Sequence, residues 1–440
     1  MILPVRYEGR PVATISAESE TVEMRYADDW LAAPDRFPVS LTLPLGEETF
    51  GAALVLPWLM NLLPEGEPLR AMTRMLGAAQ EDVIGLVMET GGDLAGALSI
   101  GEHAADGPPG YRLIPDAEAL ERIIADLPAR PFLADEEGVT MSLAGAQDKL
   151  PVALRDGALA IPVNGAPSTH ILKPDNPRLF GSVQNEALCM VLSRRIGLAT
   201  APVTTGITGE RAYLLVERYD RTGSGDAVRR IHQEDFCQAL GHPPGAKYEF
   251  SRTGRRGPSL ADMFALVRRH MTARDITGLL DAAIFNIAVG NVDSHAKNYS
   301  ILLRPDGPSL APLYDLMTGL AWDGITPNHA QEVGGQRRGR YVYGRHWERM
   351  AKACGLAPRA TVRRVEAVAG RILRELPAAA EEVAAMPAGP GAMLDRFRDE
   401  IAERAAEVQR HAGQEGDPAP EPPPPPPGSD PAADATAYPS

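Results

Sequence analysis

The sequence predicts an α+β chain with a β-rich front and a mostly helical back, and three observations carry that expectation. Through about the first 220 residues, short apolar runs are punctuated by Gly, Pro and Asp, the pattern of strands and tight turns. Beyond residue 220, apolar side chains recur at helical spacing in 234–240, 260–270, 279–289, 345–354 and 362–376. From residue 413 the chain is mostly Pro, Ala, Asp and Gly, with consecutive prolines at 422–427. Such a segment cannot bury a core, so 411–440 is expected to be a disordered tail with polyproline II stretches. At 440 residues, 44% hydrophobic and 23% charged, the remainder is long enough for two or three domains.

In chain order, residues 1–105 form a first unit. Tyr7-Glu8-Gly9-Arg10 is a strand–turn–strand signal within 5–15, and 37–44 is again strand-like. The apolar run 54–62 leads through Leu63 into Pro64-Glu65-Gly66-Glu67, and the Gly91-Gly92 turn precedes a strand at 96–100. Residues 106–219 make a second unit, opening with a linker or short helix at 116–127. Its loop Ser142-Leu143-Ala144-Gly145-Ala146-Gln147-Asp148-Lys149 is built of small residues and feeds a strand at 150–154. Small residues let a backbone approach phosphate closely, which makes Gly145, Ala146 and Gln147 candidate phosphate contacts. The loop matches neither GxGxxG nor a Walker motif.

A strand at 169–173 ends in Lys173, closed by Pro174. Thirteen residues on, Glu186 lies in 184–196, where Leu188, Val191, Leu192 and Ile196 recur at helical spacing. A Lys173–Glu186 ion pair is sterically feasible; the alternative is a surface lysine and a first-turn glutamate favoured by the helix dipole. The apolar strand at 212–216 then gives way to polar residues around Glu217 and Tyr219.

The third unit, 220–410, carries the most specific signal. The buried helix expected over 279–289 ends at Gly290, which lets the chain turn sharply into Asn291-Val292-Asp293-Ser294-His295-Ala296-Lys297-Asn298. A strand at 299–303, a turn at 304–307 and a second strand at 310–314 then fold Asp315 back toward Asp293 and Asn298. One carboxylate to orient an acceptor hydroxyl, with an amide and a second carboxylate to hold Mg²⁺ against nucleotide phosphates, is what phosphoryl transfer needs. Asp293 and Asn298 could instead be turn-formers or caps. His295 is expected to position the loop rather than accept the proton. Lys297 is either a solvated surface lysine or a charge near the transferring phosphoryl group. Together the units read as a bilobal protein-kinase-like fold.

The motifs SLAGAQDKLPV, HILKPDNP, QNEALCMVL, LLVERYDR, HQEDFCQALG, GNVDSHAKNYSILL and LAPLYDLMTG occur in this order. Together they resemble the HipA family of bacterial serine/threonine kinase toxins from type II toxin–antitoxin systems, over residues 1 to about 375. The resemblance implies Asp293 as catalytic aspartate, Asn298 and Asp315 as Mg²⁺ ligands, Lys173 on the ATP phosphates, and Glu217 with Tyr219 at the adenine hinge. It implies autophosphorylation of Ser142 with self-inactivation, which is physically reasonable because the modification adds about −1.5 to −2 of charge beside the nucleotide phosphates. It also implies a helix-turn-helix antitoxin (HipB-like) through which DNA is bound, and a protein target for which an aminoacyl-tRNA synthetase is the precedent. One departure is the segment Pro327-Asn328-His329-Ala330-Gln331 before Gly334-Gly335, more polar than the family pattern. A small-molecule kinase and a catalytically silent co-repressor are the competing readings.

Net charge is −14, which argues against a broad basic surface for direct nucleic-acid binding. The basic runs 252–256 and 337–340 read as solvated loops. Cys189, Cys237 and Cys354 lack metal or CxxC spacing. With no 18-residue apolar span and no signal-sequence pattern, a cytoplasmic protein without membrane contact is expected.

Overall fold

A computed structural model of the chain describes residues 1–18, 21–101, 108–250, 254 and 256–414. The proline-rich segment from 415 onward lies outside the described residues. Helix Ala392–Ala412 runs just past the start expected for that tail.

The first unit is a five-stranded antiparallel sheet. Its spatial order is Phe50–Gly51, Thr21–Tyr26, Arg10–Glu18, Ile2–Tyr7 and Leu98–Ile100. The Glu8-Gly9 turn has both residues at positive φ (49° and 82°), the two-residue hairpin geometry that matches strand twist. Helices Ala52–Met60, Gly66–Leu76 and Val83–Thr90 lie in the chain between strands Phe50–Gly51 and Leu98–Ile100, and their apolar residues join the sheet's core around Trp30, Trp58 and Phe37.

The strand expected over 37–44 does not form; only a Ser40–Leu43 bridge is present. Side chains take the place of a ladder there. The Tyr26 hydroxyl accepts from the Val39 N–H at 2.8 Å and donates to the Leu43 carbonyl at 2.5 Å. Across the unit boundary, Glu234 accepts from the Leu41 N–H at 2.8 Å.

The second unit is a six-stranded antiparallel sheet. Its order is Val203–Thr208, Arg211–Glu217, His170–Pro174, Leu150–Arg155, Ala158–Val163 and Gly110–Leu113. Helix Ser182–Arg195 packs beside it, buried along most of its length. Helix Ala117–Asp126, N-capped by Asp116, contributes Leu120 and Ile124 to the core beneath the sheet.

The third unit is built on helices Leu260–His270, Ala273–Val289, Gly344–Ala353, Pro358–Ala384 and Ala392–Ala412. They surround a core that includes Phe264, Phe285, Trp347 and Phe397. Trp347 is fully buried, a packing residue. The helix expected over 234–240 divides into strand His232–Asp235 and a single turn Phe236–Ala239. The Asp235 carboxylate caps that turn and Gln238 completes the capping box, so the polar pair starts the helix late. All three cysteines are free and buried.

Candidate active site

The Asp293 loop starts where Gly290 ends helix Ala273–Val289 at φ 72°. A Cβ there would approach Leu320 to 2.5 Å, so glycine is required by conformation and by space. Buried amides then fix the loop. Asn291 donates to Asn286 at 3.0 Å and accepts from the Asp293 N–H at 3.2 Å, while Asn286 donates to the Tyr299 hydroxyl at 2.7 Å. Asn298 ends a single turn, Ala296–Asn298, and its amide nitrogen donates to the Asp293 carbonyl at 2.8 Å. The amide oxygen of Asn298 is thereby the end left to meet a cation.

The hairpin that returns Asp315 pairs Ser300–Arg304 with Gly307–Leu310, earlier than the 310–314 expected. The chain leaves the hairpin at Ala311, and Leu313 bridges Thr200 of the second unit instead. That parallel bridge brings the chain against the second unit just before Asp315. Asp315 itself sits at φ 57°, a strained region for a residue with a Cβ and a frequent mark of functional positions.

Lys173 closes the constellation. Its Nζ lies 2.7 Å from Glu186 Oε1 and 2.6 Å from Asp315 Oδ1. The expected Lys173–Glu186 pair therefore forms, buried rather than at the surface. Burial works against the Lys173 charge, but Asp315 and Glu186 more than offset it and hold the ammonium well above its ordinary value. Burial likewise works against the Asp315 carboxylate, yet Lys173 and Lys149 bring it down to about 2. Asp293 behaves differently: burial pushes it up to about 6, with Lys247 and a Tyr248 hydrogen bond only partly offsetting.

These groups line one cavity of about 670 Å³ between the three units, together with Gly145, Ala146, Gln147, Glu217, Tyr219, His295 and Lys297. Ser142 and Glu186 stand behind its wall. Ser142 is fully buried, with its hydroxyl donating to the Leu62 carbonyl at 3.2 Å and its N–H to the Asp93 carbonyl at 3.2 Å. His295 is buried, neutral because burial and Lys247 keep its pKa well below the ordinary value, and its Nδ1 lacks a partner. Lys297 is not a surface lysine. Its ammonium donates to Asn61 Oδ1 at 2.8 Å and pairs with Asp235 Oδ2 at 2.7 Å, so it fastens the first unit to the Asp293 loop.

Where an adenine hinge was expected, the N–H groups of Glu217 and Arg218 are committed to the carbonyls of Pro202 and Thr169, each at 2.9 Å. They are therefore not the donors that would meet a base. The Tyr219 phenol bonds Gln233, and its ring lies 5.6 Å from that of Tyr314.

Several site residues escaped sequence reasoning. Lys149 Nζ is bonded to the Ala144 carbonyl at 2.5 Å, and its pKa is brought down to about 8 by burial and by Lys173. Glu65, from the first unit, lies 2.9 Å from Lys247 Nζ, and the Tyr248 hydroxyl donates to Asp293 Oδ1 at 2.5 Å. The only available signal was that Glu65 and Lys149 fall in motif-like runs. The polar segment before Gly334-Gly335 forms the strand Asn328–Val333, with His329 buried against the Asn291 carbonyl at 3.0 Å. Of the basic runs, Arg256 is exposed but bonds the buried Glu249, while 251–253 and 255 lie outside the described residues.

Among the described residues no group of three His, Cys, Asp or Glu side chains forms a metal cage. The donor set is instead Asp315 and the Asn298 amide oxygen beside an open cavity. That fits Mg²⁺, which is commonly held by one or two carboxylates plus substrate phosphates. No helix among the described residues is long and apolar enough to cross a membrane.

A family model described as the HipA-like C-terminal domain matches residues 141–379, and one described as the HipA N-terminal domain matches residues 3–101. The chain is similar to "Putative kinase Y4mE" of Sinorhizobium fredii (strain NBRC 101917 / NGR234), 38% identical over 418 residues, covering 93% of this chain and 98% of that protein. It is similar to the serine/threonine-protein kinase toxin HipA of Shewanella oneidensis, 29% identical over 385 residues, 85% of this chain and 86% of that one. A solved complex of Shewanella oneidensis MR-1 HipA, HipB and operator DNA contains a chain that matches this backbone. The TM-score is 0.81 at 25% identity, covering 93% of this chain and 99% of that chain.

Proposed function

This chain belongs to the HipA kinase-toxin family, and we propose that it is a serine/threonine protein kinase that transfers the γ-phosphoryl group of ATP to a protein hydroxyl. The carrying observation is the meeting of Lys173, Asp293, Asn298 and Asp315 in one cavity, where Lys173 and Asp315 hold each other charged and burial pushes the Asp293 carboxyl up to about 6.

Lys173 is held by Glu186 at the phosphate end and draws the nucleotide's charge toward Asp315. Asn298 and Asp315 are the residues that would hold Mg²⁺, which when bound neutralises charge developing on the phosphates. Asp293 accepts the proton of the incoming hydroxyl. Its pKa near 6 keeps it ionised at neutral pH while leaving it basic enough to take that proton. The small-residue loop around Gly145 covers the phosphates, with Lys149 as a further cation on their flank. His295, neutral and packed edge-on to Tyr248 at 5.1 Å, positions the loop. Lys297, tied to Asn61 and Asp235, also positions rather than transfers.

Ser142 is the proposed autophosphorylation site. A phosphate there has no room against the Leu62 carbonyl, so modification would go with release of the loop and loss of activity. The partner is proposed to be a HipB-like helix-turn-helix antitoxin, with DNA bound through it, as the composition of the superposable complex suggests. A net charge of −14 favours contact through a partner over direct binding. The protein substrate is proposed to be of the aminoacyl-tRNA synthetase class.

The test is ATP turnover by Asp293→Gln and Asp315→Asn proteins, followed by ADP formation. Both are expected to be silent with circular dichroism unchanged. Undiminished turnover in either would refute the assignment.

A further inference from the structure

We propose that Tyr248 is a gate on the acceptor side of the reaction: its phenol occupies the place at Asp293 that an acceptor hydroxyl must take, and transfer requires its displacement. The inference rests on the kinase reading and adds to it the step by which the acceptor enters.

A catalytic carboxylate must accept a hydrogen bond from the hydroxyl it will deprotonate, at about 2.6–3.2 Å. In this chain Asp293 Oδ1 already accepts one, from the Tyr248 hydroxyl at 2.5 Å. Tyr248 is half-buried and lines the same cavity as Lys173, Asn298 and Asp315, so its phenol lies on the reaction side of the carboxylate. Its mount also suits a gate. The neighbouring backbone is fixed, since the Lys247 carbonyl accepts from the Ala296 N–H and the Glu249 N–H donates to the Ala330 carbonyl, each at 3.1 Å. Lys247 is pinned by Glu65, with its ammonium 5.7 Å from the Tyr248 ring centroid. The segment that carries the phenol is thereby held in place beside Asp293.

With the phenol displaced, an acceptor oxygen forms a bond to the γ-phosphorus while the bond from that phosphorus to the ADP oxygen breaks. The acceptor proton passes to Asp293 and ADP leaves. Water entering the same place gives ADP and inorganic phosphate. Every acceptor, water included, must compete with the phenol.

The probe is therefore water. Phosphate release from Mg²⁺-ATP is measured for wild type, Tyr248→Phe and Asp293→Gln at pH 8, where Asp293 is ionised. Thermal melting with and without nucleotide checks that each variant is folded and binds. Tyr248→Phe keeps the ring against His295 and removes only the competing hydroxyl. Its hydrolysis rate is expected to rise roughly 10- to 100-fold, the range a hydrogen bond to a charged group represents. An unchanged or lower rate in a folded, nucleotide-binding Tyr248→Phe protein overturns the gate but leaves the kinase assignment intact. Turnover in Asp293→Gln equal to wild type, or none in any protein despite nucleotide binding, overturns the kinase reading and the gate with it. Phosphate recovered on Tyr248 itself also overturns the gate, because the phenol would then be an acceptor rather than a stand-in for one.

Discussion

Asp293 and Asp315 are both carboxylates on one cavity wall, yet their surroundings push them in opposite directions. Asp315 is pulled down to about 2 by two lysines, while burial lifts Asp293 to about 6. A base works only when ionised, so turnover is expected to fall as pH drops through about 6, tracking Asp293 against the nearby Lys247, Tyr248, Asp315 and Glu65. A kcat profile flat from pH 5 to 8 would show that another group takes the proton. Lys173 gives a second prediction at this scale. Lys173→Met leaves Glu186 and Asp315 facing each other without the ammonium. Removing one partner of a buried pair costs about 3–5 kcal/mol, so a clearly lower melting temperature and lost nucleotide binding are expected. The meeting of Asp293, Asn298 and Asp315 in one cavity was legible because their spacing is local and chemically specific. Tyr248 was not, since a lone tyrosine in a loop carries no pattern, and its place at Asp293 comes from a chain approach over 45 residues.

At the scale of elements, the catalytic hairpin was legible in kind and misread in extent. Short strand-like runs on either side of a Pro-Asp-Gly turn marked two strands, but the sequence gives no sign that Leu313 pairs with Thr200, which ends the hairpin at Leu310. Residues 37–44 were misread for a related reason. Phe37, Val39 and Leu43 are buried, but Ser40 between them is buried too, and Tyr26 and Glu234 satisfy the backbone in place of a neighbouring strand. Glu234 also makes a prediction. It is buried, and burial pushes its carboxyl up to about 8, against Ser40 and the Leu41 N–H, which pull it down. The folded state then holds a proton that the unfolded state releases near its ordinary value, so this group's stabilisation is present at low pH and lost as pH rises toward 8. Glu234→Gln keeps both hydrogen bonds without the charge. It is expected to melt above wild type at pH 9, with the difference closing by pH 5; a constant difference would show that Glu234 stays ionised throughout.

Across the whole molecule, the first unit is tied into the site rather than appended to it. Asp93 accepts from Ser168 at 2.6 Å and pairs with Arg221 and Arg230, each at 2.9 Å, while Arg218 pairs with Asp220 at 2.6 Å. This buried network sits directly behind the hinge, and burial of the Asp93 carboxylate is more than offset by its arginines. Its joining to the first unit was not legible, because Asp93 lies more than a hundred residues from Arg221 and Arg230 and each reads alone as a surface charge. Asp93→Ala would leave buried guanidinium groups short of a partner, so a loss of about 3–5 kcal/mol in stability and a raised KM for ATP are expected; wild-type values of both would show the network to be dispensable. The most direct test of the account is incubation of the wild-type and Asp293→Gln proteins with Mg²⁺-ATP, followed by intact and peptide mass spectrometry. The account predicts phosphate on Ser142 in the wild type and none in Asp293→Gln. Equal phosphorylation of both, or none in a wild-type protein that binds nucleotide, would contradict it.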